Sequence, residues 1–202
     1  MRVLALSAHT DDVELGCGGT MARFIREGHD VYVLVFTIVN PDMRDGQTLL
    51  KEFQQSMDTL GVKIRRQRNM VMRELSYHRQ EILDEMYDTK EEFKPDLVLL
   101  PSGADIHSDH KTVHNEGIRA FRESAILGYE LPWSAPGFVP KMFIALDPVD
   151  IVKKIDCVRA YGSQANKNYA NPGVLTSLAL VRGCQAGFVY AEGFEVIRWI
   201  MK

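Results

Sequence analysis

Residues 3–20 read Val-Leu-Ala-Leu-Ser-Ala-His-Thr-Asp-Asp-Val-Glu-Leu-Gly-Cys-Gly-Gly-Thr. The apolar run at residues 3–6 is short and unbroken, which is typical of a strand buried on both faces of a sheet. A polar loop follows at once, and Met21, Phe24 and Gly28 then recur at helical spacing, with the glycine predicted to end the helix. This stretch therefore predicts a strand, a loop and a helix, which together form the first unit of a parallel α/β sheet.

The rest of the chain repeats this alternation of strand and helix. Further compact apolar runs predict strands at residues 31–36, 96–100 and 142–146. Apolar residues at helical spacing predict helices at residues 49–60, 82–93 and 113–121. The pattern predicts a single-domain, Rossmann-like α/β fold over residues 1–202, with a mostly parallel sheet and helices on both faces. Residues 128–139 are predicted to form a long loop, and the chain after Tyr161 to wrap the core or add a short helix and strand.

Length, composition and charge narrow the class of protein. The 202 residues suit one domain, and 46% hydrophobic with 25% charged residues is ordinary for a globular chain. A net charge of −3 argues against binding to nucleic acid or an anionic membrane surface, and no apolar run approaches the roughly 20 residues of a membrane span. Cys17, Cys157 and Cys184 are scattered, so we expect neither disulfides nor a cysteine zinc site, but a reduced, cytoplasmic protein.

Histidine and aspartate occur together in two short windows. The first is Ala8-His9-Thr10-Asp11-Asp12, directly after the first predicted strand, and the second is His107-Ser108-Asp109-His110, shortly after a later strand. In a doubly wound sheet, ligands bind beyond the carboxyl ends of the strands, where the strand order reverses. We therefore expect the two windows to meet there in an active site, and His29 and His78 to be ordinary polar residues.

The two windows contain the ligands of a metal centre. Imidazole and carboxylate groups suit Zn²⁺ or a similar divalent ion. A catalytic zinc site uses three protein ligands, which His9, Asp12 and one histidine of the second window would supply. Asp11 would lie beside the metal without binding it, placed to take a proton from water that the metal activates. The other histidine could donate to a developing oxyanion or protonate the leaving group, so the set predicts a metal-assisted hydrolase.

Each motif alone also has a simpler interpretation. An aspartate pair after a strand often only caps a helix. Gly16-Cys17-Gly18-Gly19 could cradle a phosphate, but these glycines begin too far from the strand for a dinucleotide fingerprint. His110 and His114 have the spacing of a zincin pair, yet Lys111 stands where that motif needs glutamate, so we expect His114 on the helix surface or behind the ligands. The GxSxG motif of serine hydrolases is missing from the sequence.

Taken together, the two windows resemble the motifs of the PIG-L/LmbE-like family of zinc-dependent sugar N-deacetylases. The first family motif runs AHPDD, an acidic residue and GxGGT, and residues 8–20 read Ala-His-Thr-Asp-Asp-Val-Glu-Leu-Gly-Cys-Gly-Gly-Thr. The second family motif, HxDH, is matched by His107-Ser108-Asp109-His110. Tyr161-Gly162-Ser163-Gln164 and Tyr190-Ala191-Glu192-Gly193-Phe194 also look like family features, so the similarity spans nearly the whole chain.

The resemblance implies a role for each residue of the two windows. Three residues would bind zinc, or another divalent metal: His9, Asp12 and His110. Asp11 would be the general base, while His107 would stabilise the oxyanion and could serve as the acid. Asp109 would orient the histidine chemistry as a carboxylate behind the ligands.

The implied reaction removes an N-acetyl group from an N-acetylglucosamine-type aminosugar, or its conjugate, and releases acetate. Members of the family are often homo-oligomeric, and we expect the same of this chain. Two alternatives stay open: a metal-dependent amidase with a non-sugar substrate, and a nucleotide- or metal-binding module without catalysis. Asp11 argues against the second alternative, because a binding module without catalysis has no use for a carboxylate that lies beside the metal and does not bind it.

The chain departs from the family pattern in ways that bear on specificity. Thr10 replaces the usual proline, and Val13 stands where many members have glutamate. Many members place an arginine for substrate contact where this chain has Leu49. Arg44 is a candidate replacement, although an ordinary surface position explains it equally well. Trp133, in the predicted loop, could form the rim of a sugar site or an oligomer contact.

Overall fold

The computed structural model describes residues 1–41 and 47–200, which form seven strands and six α-helices. Strands and α-helices alternate along the chain except for two consecutive strands, Ala125–Tyr129 and Met142–Leu146, and two consecutive α-helices, Pro148–Arg159 and Pro172–Ala186. The strands are β1 (Arg2–Ser7), β2 (Asp30–Val39), β3 (Ile64–Val71), β4 (Leu97–Pro101), β5 (Ala125–Tyr129), β6 (Met142–Leu146) and β7 (Tyr190–Arg198). The α-helices are α1 (Asp12–Arg26), α2 (Thr48–Leu60), α3 (Arg79–Phe93), α4 (Ser108–Ala120), α5 (Pro148–Arg159) and α6 (Pro172–Ala186). Within the described residues, no helix has the length and apolar character needed to span a bilayer.

The strands form one mostly parallel sheet in the order β3-β2-β1-β4-β5-β7-β6. The five strands from β3 to β5 pair in parallel, and β7 runs antiparallel to both β5 and β6. The chain moves outward from β1 to β3 and then returns to place β4 on the other side of β1. This reversal between β1 and β4 is the switch point of a doubly wound sheet, so the predicted α/β fold class is confirmed.

Apolar residues on both faces of each central strand explain why the sheet is covered by two helix layers. In β1, Val3 and Ala5 lie in one buried core together with residues of α1, α2, α5 and α6. Leu4 and Leu6 point the other way into a second core with residues of α3 and α4. Because successive side chains of a strand alternate between faces, a run of unbroken apolar residues supplies both cores at once.

Glycines end two of the predicted helices, as the sequence indicates. Gly28 follows α1 with φ of 81°, and Gly61 follows α2 with φ of 90°. These are left-handed conformations that glycine adopts without the steric cost of a Cβ atom. The predicted ends of these helices are therefore confirmed.

Several elements were missed or misplaced by the sequence analysis. Strands β3, β5 and β7 and helix α5 are additional, and the chain after Tyr161 contributes a full-length helix and a nine-residue strand rather than short pieces. The loop predicted at residues 128–139 begins later, since Gly128 and Tyr129 belong to β5. A Cβ atom at residue 128 would lie 2.9 Å from the Ser102 Cα atom, so this position of the strand needs a glycine. The glycine therefore marks a close approach of two backbones and not the start of a loop.

Helix α1 already begins at Asp12 and contains the glycine-rich motif, with a break in its backbone at Cys17 (φ −144°, ψ 22°). The amides of Gly19 and Thr20 donate to the Glu192 carboxylate of β7 at 3.1 and 2.7 Å. Lys154 of α5 pairs with the same carboxylate at 2.6 Å. The buried Glu192 therefore joins the second half of α1 to β7 and α5, and gives the Tyr190–Phe194 segment a structural role.

Candidate metal centre and active site

Two loops meet at the carboxyl ends of β1 and β4, the strands between which the sheet order reverses. The loop after β1 contains His9 and leads into α1, and the loop after β4 leads into α4 through His107. His9 is 7% exposed and His110, in the first turn of α4, is 2% exposed. The structure thus brings the two histidine–aspartate windows together, as we expected from the topology.

Three potential metal-binding groups converge at this point. His9 Nδ1 lies 3.1 Å from His110 Nε2. The Asp12 carboxylate lies 3.5 Å from His9 Nδ1 and 3.3 Å from His110 Nε2. Tetrahedral ligands at zinc distances of about 2.1 Å are about 3.4 Å apart, so these three groups fit one small divalent cation. A nitrogen of His107 also lies within 4.8 Å of those of His9 and His110, which makes His107 a further candidate ligand.

Two carboxylates orient the outer nitrogens of the converging imidazoles. Asp109 Oδ2 lies 3.0 Å from His9 Nε2, and Asp105 Oδ2 lies 2.7 Å from His110 Nδ1. Because ionised carboxylates only accept hydrogen bonds, each outer nitrogen carries a proton and each inner nitrogen presents its lone pair to the centre. Two lone pairs and a carboxylate facing one another need a cation or a proton between them.

Asp105 was missed by the sequence analysis, although it is the residue that orients His110. It also accepts the backbone N–H of His107 at 2.9 Å and the Ser134 hydroxyl at 2.7 Å. Its position five residues before His110 was the available signal, since ligating histidines usually donate to a carboxylate. Through Ser134, Asp105 ties the loop that carries Trp133 to the metal centre.

The charges of this cluster stabilise one another. Burial would raise the pKa of Asp12, but the imidazoles of His110 and His9 hold it well below its usual range. Burial would lower the pKa of His9, yet Asp12 and Asp109 raise it to about 9. Burial is likewise outweighed at His110, where Asp12 and Asp105 raise the pKa to about 10. His9 Nδ1 and His110 Nε2 lie 3.1 Å apart, so they cannot both carry a proton, because two N–H groups would then face each other. In the metal-free protein these two nitrogens share one proton, at the position where a cation would bind.

Asp11 and His107 adjoin the cluster without belonging to its closest contacts. Asp11 is the residue before α1, but its side chain makes no capping hydrogen bond, so the simpler interpretation as a helix cap fails. Burial and the neighbouring charge of Asp12 raise the pKa of Asp11 to about 6. His107 caps α4 instead, since its Nδ1 accepts the N–H of Asp109 at 3.1 Å. The Nε2 of neutral His107 therefore carries the proton and is a donor.

Tyr161 anchors the loop that carries Asp11. The hydroxyl of this buried tyrosine contacts the Thr10 carbonyl and lies 2.6 Å from the Glu14 carboxyl. Ser56 also donates to Glu14 at 2.6 Å, and burial raises the pKa of Glu14 to about 8. Tyr161 is the first residue of the Tyr-Gly-Ser-Gln segment that resembles a family feature. Its contact with Thr10 indicates that this segment supports the loop of the site.

The remaining histidines lie outside the cluster. His114 Nδ1 lies 2.8 Å from the Pro101 carbonyl oxygen, which holds this residue against the end of β4 and outside the group of His9, His107 and His110. His78 pairs with Glu81 at 3.0 Å on the surface. The zincin-like pairing of His110 with His114 is therefore not formed.

The cluster opens into a cavity of about 300 Å³. Its lining includes Trp133 and Tyr169, whose rings stack with centroids 4.2 Å apart and planes 21° apart. Leu49 also lines it, whereas Arg44, the proposed replacement for the family arginine, lies outside the described residues. A larger apolar cavity of about 760 Å³ lies at the amino ends of the strands, near Leu97, and does not reach the histidine–aspartate cluster.

Both histidine–aspartate windows lie in a stretch of the chain that matches a known protein family. A family profile described as PIG-L, GlcNAc-PI de-N-acetylase, matches residues 4–121, which is more than half of the chain and includes both windows. The chain belongs to the PIG-L family. PIG-L family members are metal-dependent N-deacetylases, and this chain is an enzyme of that class.

Individual relatives match this PIG-L chain over nearly its whole length. It is 29% identical to the diacetylchitobiose deacetylase of Thermococcus kodakarensis, over 97% of this chain and 83% of that protein. Among solved structures, the zinc-inhibited form of the teicoplanin deacetylase Orf2 superposes with a TM-score of 0.80 at 20% identity, over 96% of this chain and 97% of that one.

A further structural neighbour shows that the PIG-L fold also occurs with another activity. GalB, the 4-carboxy-2-hydroxymuconate hydratase of Pseudomonas putida KT2440, superposes with a TM-score of 0.78 at 18% identity, over all of this chain and 98% of that one. Likeness at such identity shows the fold alone. The site residues, and not the fold, must therefore carry the argument for a particular reaction.

Proposed function

We propose that the protein is a zinc-dependent hydrolase that removes the N-acetyl group of an N-acetylglucosamine-type aminosugar or its conjugate and releases acetate. The observation that carries this proposal is the convergence of His9 Nδ1, His110 Nε2 and the Asp12 carboxylate, with Asp11 beside them and free of a capping bond. Relatives named for diacetylchitobiose and teicoplanin support an aminosugar substrate.

His9, Asp12 and His110 would hold the metal. When bound, zinc polarises an amide carbonyl and lowers the pKa of water from 15.7 to roughly 7. Asp109 and Asp105 keep the two imidazoles in the tautomers that turn their lone pairs inward. This ligand set leaves Asp11 and His107 available for proton transfer and hydrogen bonding.

Asp11 is the proposed general base. Its carboxylate takes a proton from the attacking water, which then adds to the amide carbonyl carbon. The Nε2–H of His107 donates to the carbonyl oxygen as negative charge develops there. The C–N bond breaks as the amine takes up a proton from Asp11 or His107, so the products are acetate and the free aminosugar.

The stacked rings of Trp133 and Tyr169 offer an aromatic wall for the sugar. Aromatic faces pack well on the apolar faces of sugar rings, and both residues line the cavity that opens from the metal centre. Trp133 is 40% exposed, which leaves part of its ring accessible to a substrate. We therefore assign Trp133 to the substrate rim rather than to an oligomer contact.

The test is acetate release from a panel of N-acetylated aminosugars. The protein would be assayed as isolated, after chelation, and after chelation followed by zinc. We expect release that is lost on chelation, restored by zinc and strongly reduced in Asp11→Asn. Release only from non-sugar amides would favour the alternative amidase, and a protein that binds no zinc would overturn the ligand assignment.

We also propose that the chain forms a homo-oligomer, as the family resemblance implies. Helix α6 supports this, because three of its apolar residues are 43–52% exposed: Val174, Leu180 and Val181. Sedimentation equilibrium on the 22.9 kDa chain measures the state directly. A mass of one chain at micromolar concentration would contradict the proposal.

A further inference from the structure

Trp133, which we assign to the substrate rim, lies in a tightly bonded turn between β5 and β6. The N–H groups of Ser134 and Ala135 both donate to the carbonyl of fully buried Leu131, at 3.0 and 2.9 Å. Pro132 fixes its own backbone φ angle within this turn. Trp133 and Ser134 are therefore held as one unit, and a displacement of one is passed to the other.

Two hydrogen bonds fasten this turn to the loop before α4. The Ser134 carbonyl accepts the N–H of Ile106 at 2.8 Å. The Ser134 hydroxyl donates to Asp105 Oδ2 at 2.7 Å, whereas the Leu131 carbonyl lies farther away at 3.5 Å. Ser134 is 7% exposed and Asp105 is 1% exposed, so bulk water does not compete for this contact. The hydroxyl of Ser134 is therefore directed at the carboxylate.

Asp105 joins the turn to the metal centre through the same oxygen atom. Its Oδ2 also lies 2.7 Å from His110 Nδ1, and the other ring nitrogen of His110 faces His9 and Asp12. One carboxylate oxygen thus holds a proposed metal ligand on one side and the wall of the cavity on the other. Hydrogen bonds to a carboxylate are about twice as strong as neutral ones. A shift of the His110 ring therefore displaces the acceptor on which Ser134 depends.

We propose that Ser134 is a positioning residue that couples the metal centre to the substrate wall. A metal on His110 would fix the imidazole ring and, with it, Asp105. The Ser134 hydroxyl passes this constraint to Trp133 and restricts its indole ring to the position in which it stacks on Tyr169. A wall that is fixed before the sugar arrives loses less conformational freedom on binding, so it binds the sugar more tightly.

This inference rests on the proposed function, which places a metal at His110 and the sugar against Trp133. Without its hydroxyl, residue 134 would keep the backbone bond from Ile106 and lose the connection to Asp105. The turn should therefore stay folded, with a wall that no longer responds to the metal.

Tryptophan fluorescence tests the coupling directly. The chain has two tryptophans, so Trp199→Phe leaves Trp133 as the reporter. Chelator-treated protein is titrated with zinc, and the quenching of Trp133 emission by acrylamide is measured. Because Zn²⁺ is a d¹⁰ ion without redox chemistry, a change reports on the surroundings of the indole ring. We expect zinc to lower the quenching constant, and Ser134→Ala in the same background to abolish this response although zinc still binds.

Two further variants control for the loss of a buried hydroxyl. Ser124 is the matched control, since it is 6% exposed and its hydroxyl donates to the Pro95 carbonyl at 2.7 Å, at the amino ends of the strands. Ser124→Ala should keep the full response to zinc. Ser134→Thr retains a hydroxyl and should restore the response that Ser134→Ala loses. Thermal unfolding of each variant shows whether it is folded.

Steady-state kinetics with N-acetylglucosamine gives a second readout on the zinc-saturated enzyme. In Ser134→Ala, we expect KM to rise about tenfold, the order expected for a lost hydrogen bond to a charged group, while kcat changes by less than about threefold. The wall contacts the sugar in the ground state and in the transition state alike, so its loss weakens both equally. A merely structural role would lower the amount of folded enzyme and leave KM unchanged.

The possible failures are distinguishable. If no N-acetylated sugar is hydrolysed while zinc still protects Trp133 through Ser134, the proposed function fails and the link between the metal centre and Trp133 stands. If zinc leaves the quenching of Trp133 unchanged, or if Ser134→Ala responds as Ser124→Ala does, the coupling is wrong while the deacetylase proposal stands. An unchanged KM in Ser134→Ala would likewise overturn the coupling.

Discussion

Asp11 and Asp12 are neighbours in sequence, but their surroundings give them opposite acid–base properties. The imidazoles of His110 and His9 outweigh burial at Asp12 and keep its pKa low, so it stays ionised, as the proposed ligand role requires. Asp11 lacks such close partners, and burial together with the charge of Asp12 raises its pKa to about 6. Two carboxylates whose pKa values are driven apart suit two separate roles, here the proposed roles of metal ligand and proton acceptor.

We predict that Asp11→Asn lowers kcat about 100- to 10,000-fold, because an amide cannot accept the proton that the general base must take. Bound zinc, measured by elemental analysis, should stay near the wild-type level. Asp12→Asn is the matched comparison and should lose zinc as well as activity. An Asp11→Asn variant with most of its activity would show that the base is another residue.

In the proposed metal site, Asp105 would act on the metal through His110 rather than by binding it. We predict that Asp105→Asn weakens zinc affinity about 10- to 100-fold, because His110 loses the carboxylate that fixes its tautomer and ring position. Competition with a chromophoric chelator measures this affinity. Asp156→Asn, on the surface of α5, is the control. Equal affinities in the two variants would contradict the role of Asp105.

At the scale of elements, helix α1 is placed by close packing of its glycines against neighbouring elements. A Cβ atom at Gly16 would lie 2.3 Å from Cδ2 of Tyr129. That ring cannot move easily, since Tyr129 is fully buried and its hydroxyl donates to the Leu6 carbonyl at 3.0 Å. The first half of α1, which carries Asp12, therefore lies as near to the sheet as its glycine allows.

We predict that Gly16→Ala destabilises the protein by about 1–3 kcal/mol or more, the range for overpacking a close contact. The free energy of unfolding in urea measures the effect. Gly137→Ala serves as the control, because no atom lies within 4 Å of a Cβ built there and its φ is not in the left-handed region. We expect the control to change stability by less than about 0.5 kcal/mol. Similar losses in both variants would show that α1 can shift to accommodate a methyl group.

Elements were predicted from sequence wherever one simple pattern dominated. Strand β4 and helix α2 were found because their apolar residues form an unbroken run or a helical stripe. Strand β3 (Ile-Arg-Arg-Gln-Arg-Asn-Met-Val) lies at the sheet edge, so its polar residues carry no signal of burial. Helix α5 was missed although Asp147, Pro148 and Asp150 form a helix-start signal, which the apolar periodicity alone did not show.

At the scale of the whole molecule, the buried histidine–aspartate cluster couples the free energy of unfolding to pH. The raised pKa values of His9 and His110, about 9 and about 10, exceed the ordinary value of 6.5. Between pH 6.5 and these raised values, the metal-free protein therefore keeps on the histidine pair a proton that its unfolded chain has lost. The resulting stabilisation is greatest near pH 6.5 and is lost as pH rises through 9 to 10.

We predict that the melting temperature of the metal-free protein falls as pH rises from 6.5 to 10, by roughly 2–4 °C for each kcal/mol lost. The zinc-loaded protein should show a smaller fall, limited to the range up to about pH 8 in which buried Glu14 ionises, since its imidazoles are already neutral. Zinc binding should release protons and tighten with pH. Thermal unfolding with and without chelator, across this pH range, measures both. Parallel curves for the two forms would show that the metal binds elsewhere.

Two features of this protein follow from its amino-acid sequence: the fold class and the chemical groups of the site. Unbroken apolar strands between amphipathic helices require a covered parallel sheet, and such a sheet brings the segments after β1 and β4 to one edge. The orientation of those groups and the walls around them follow only from the packing of the loops. Hydrogen bonds from Asp105 and Asp109 select which imidazole nitrogens face the centre, and the walls formed by Arg73, Trp133 and Lys167 come from segments distant in the chain. Sequence spacing carries no information on such contacts, because they depend on how separate loops pack together in space.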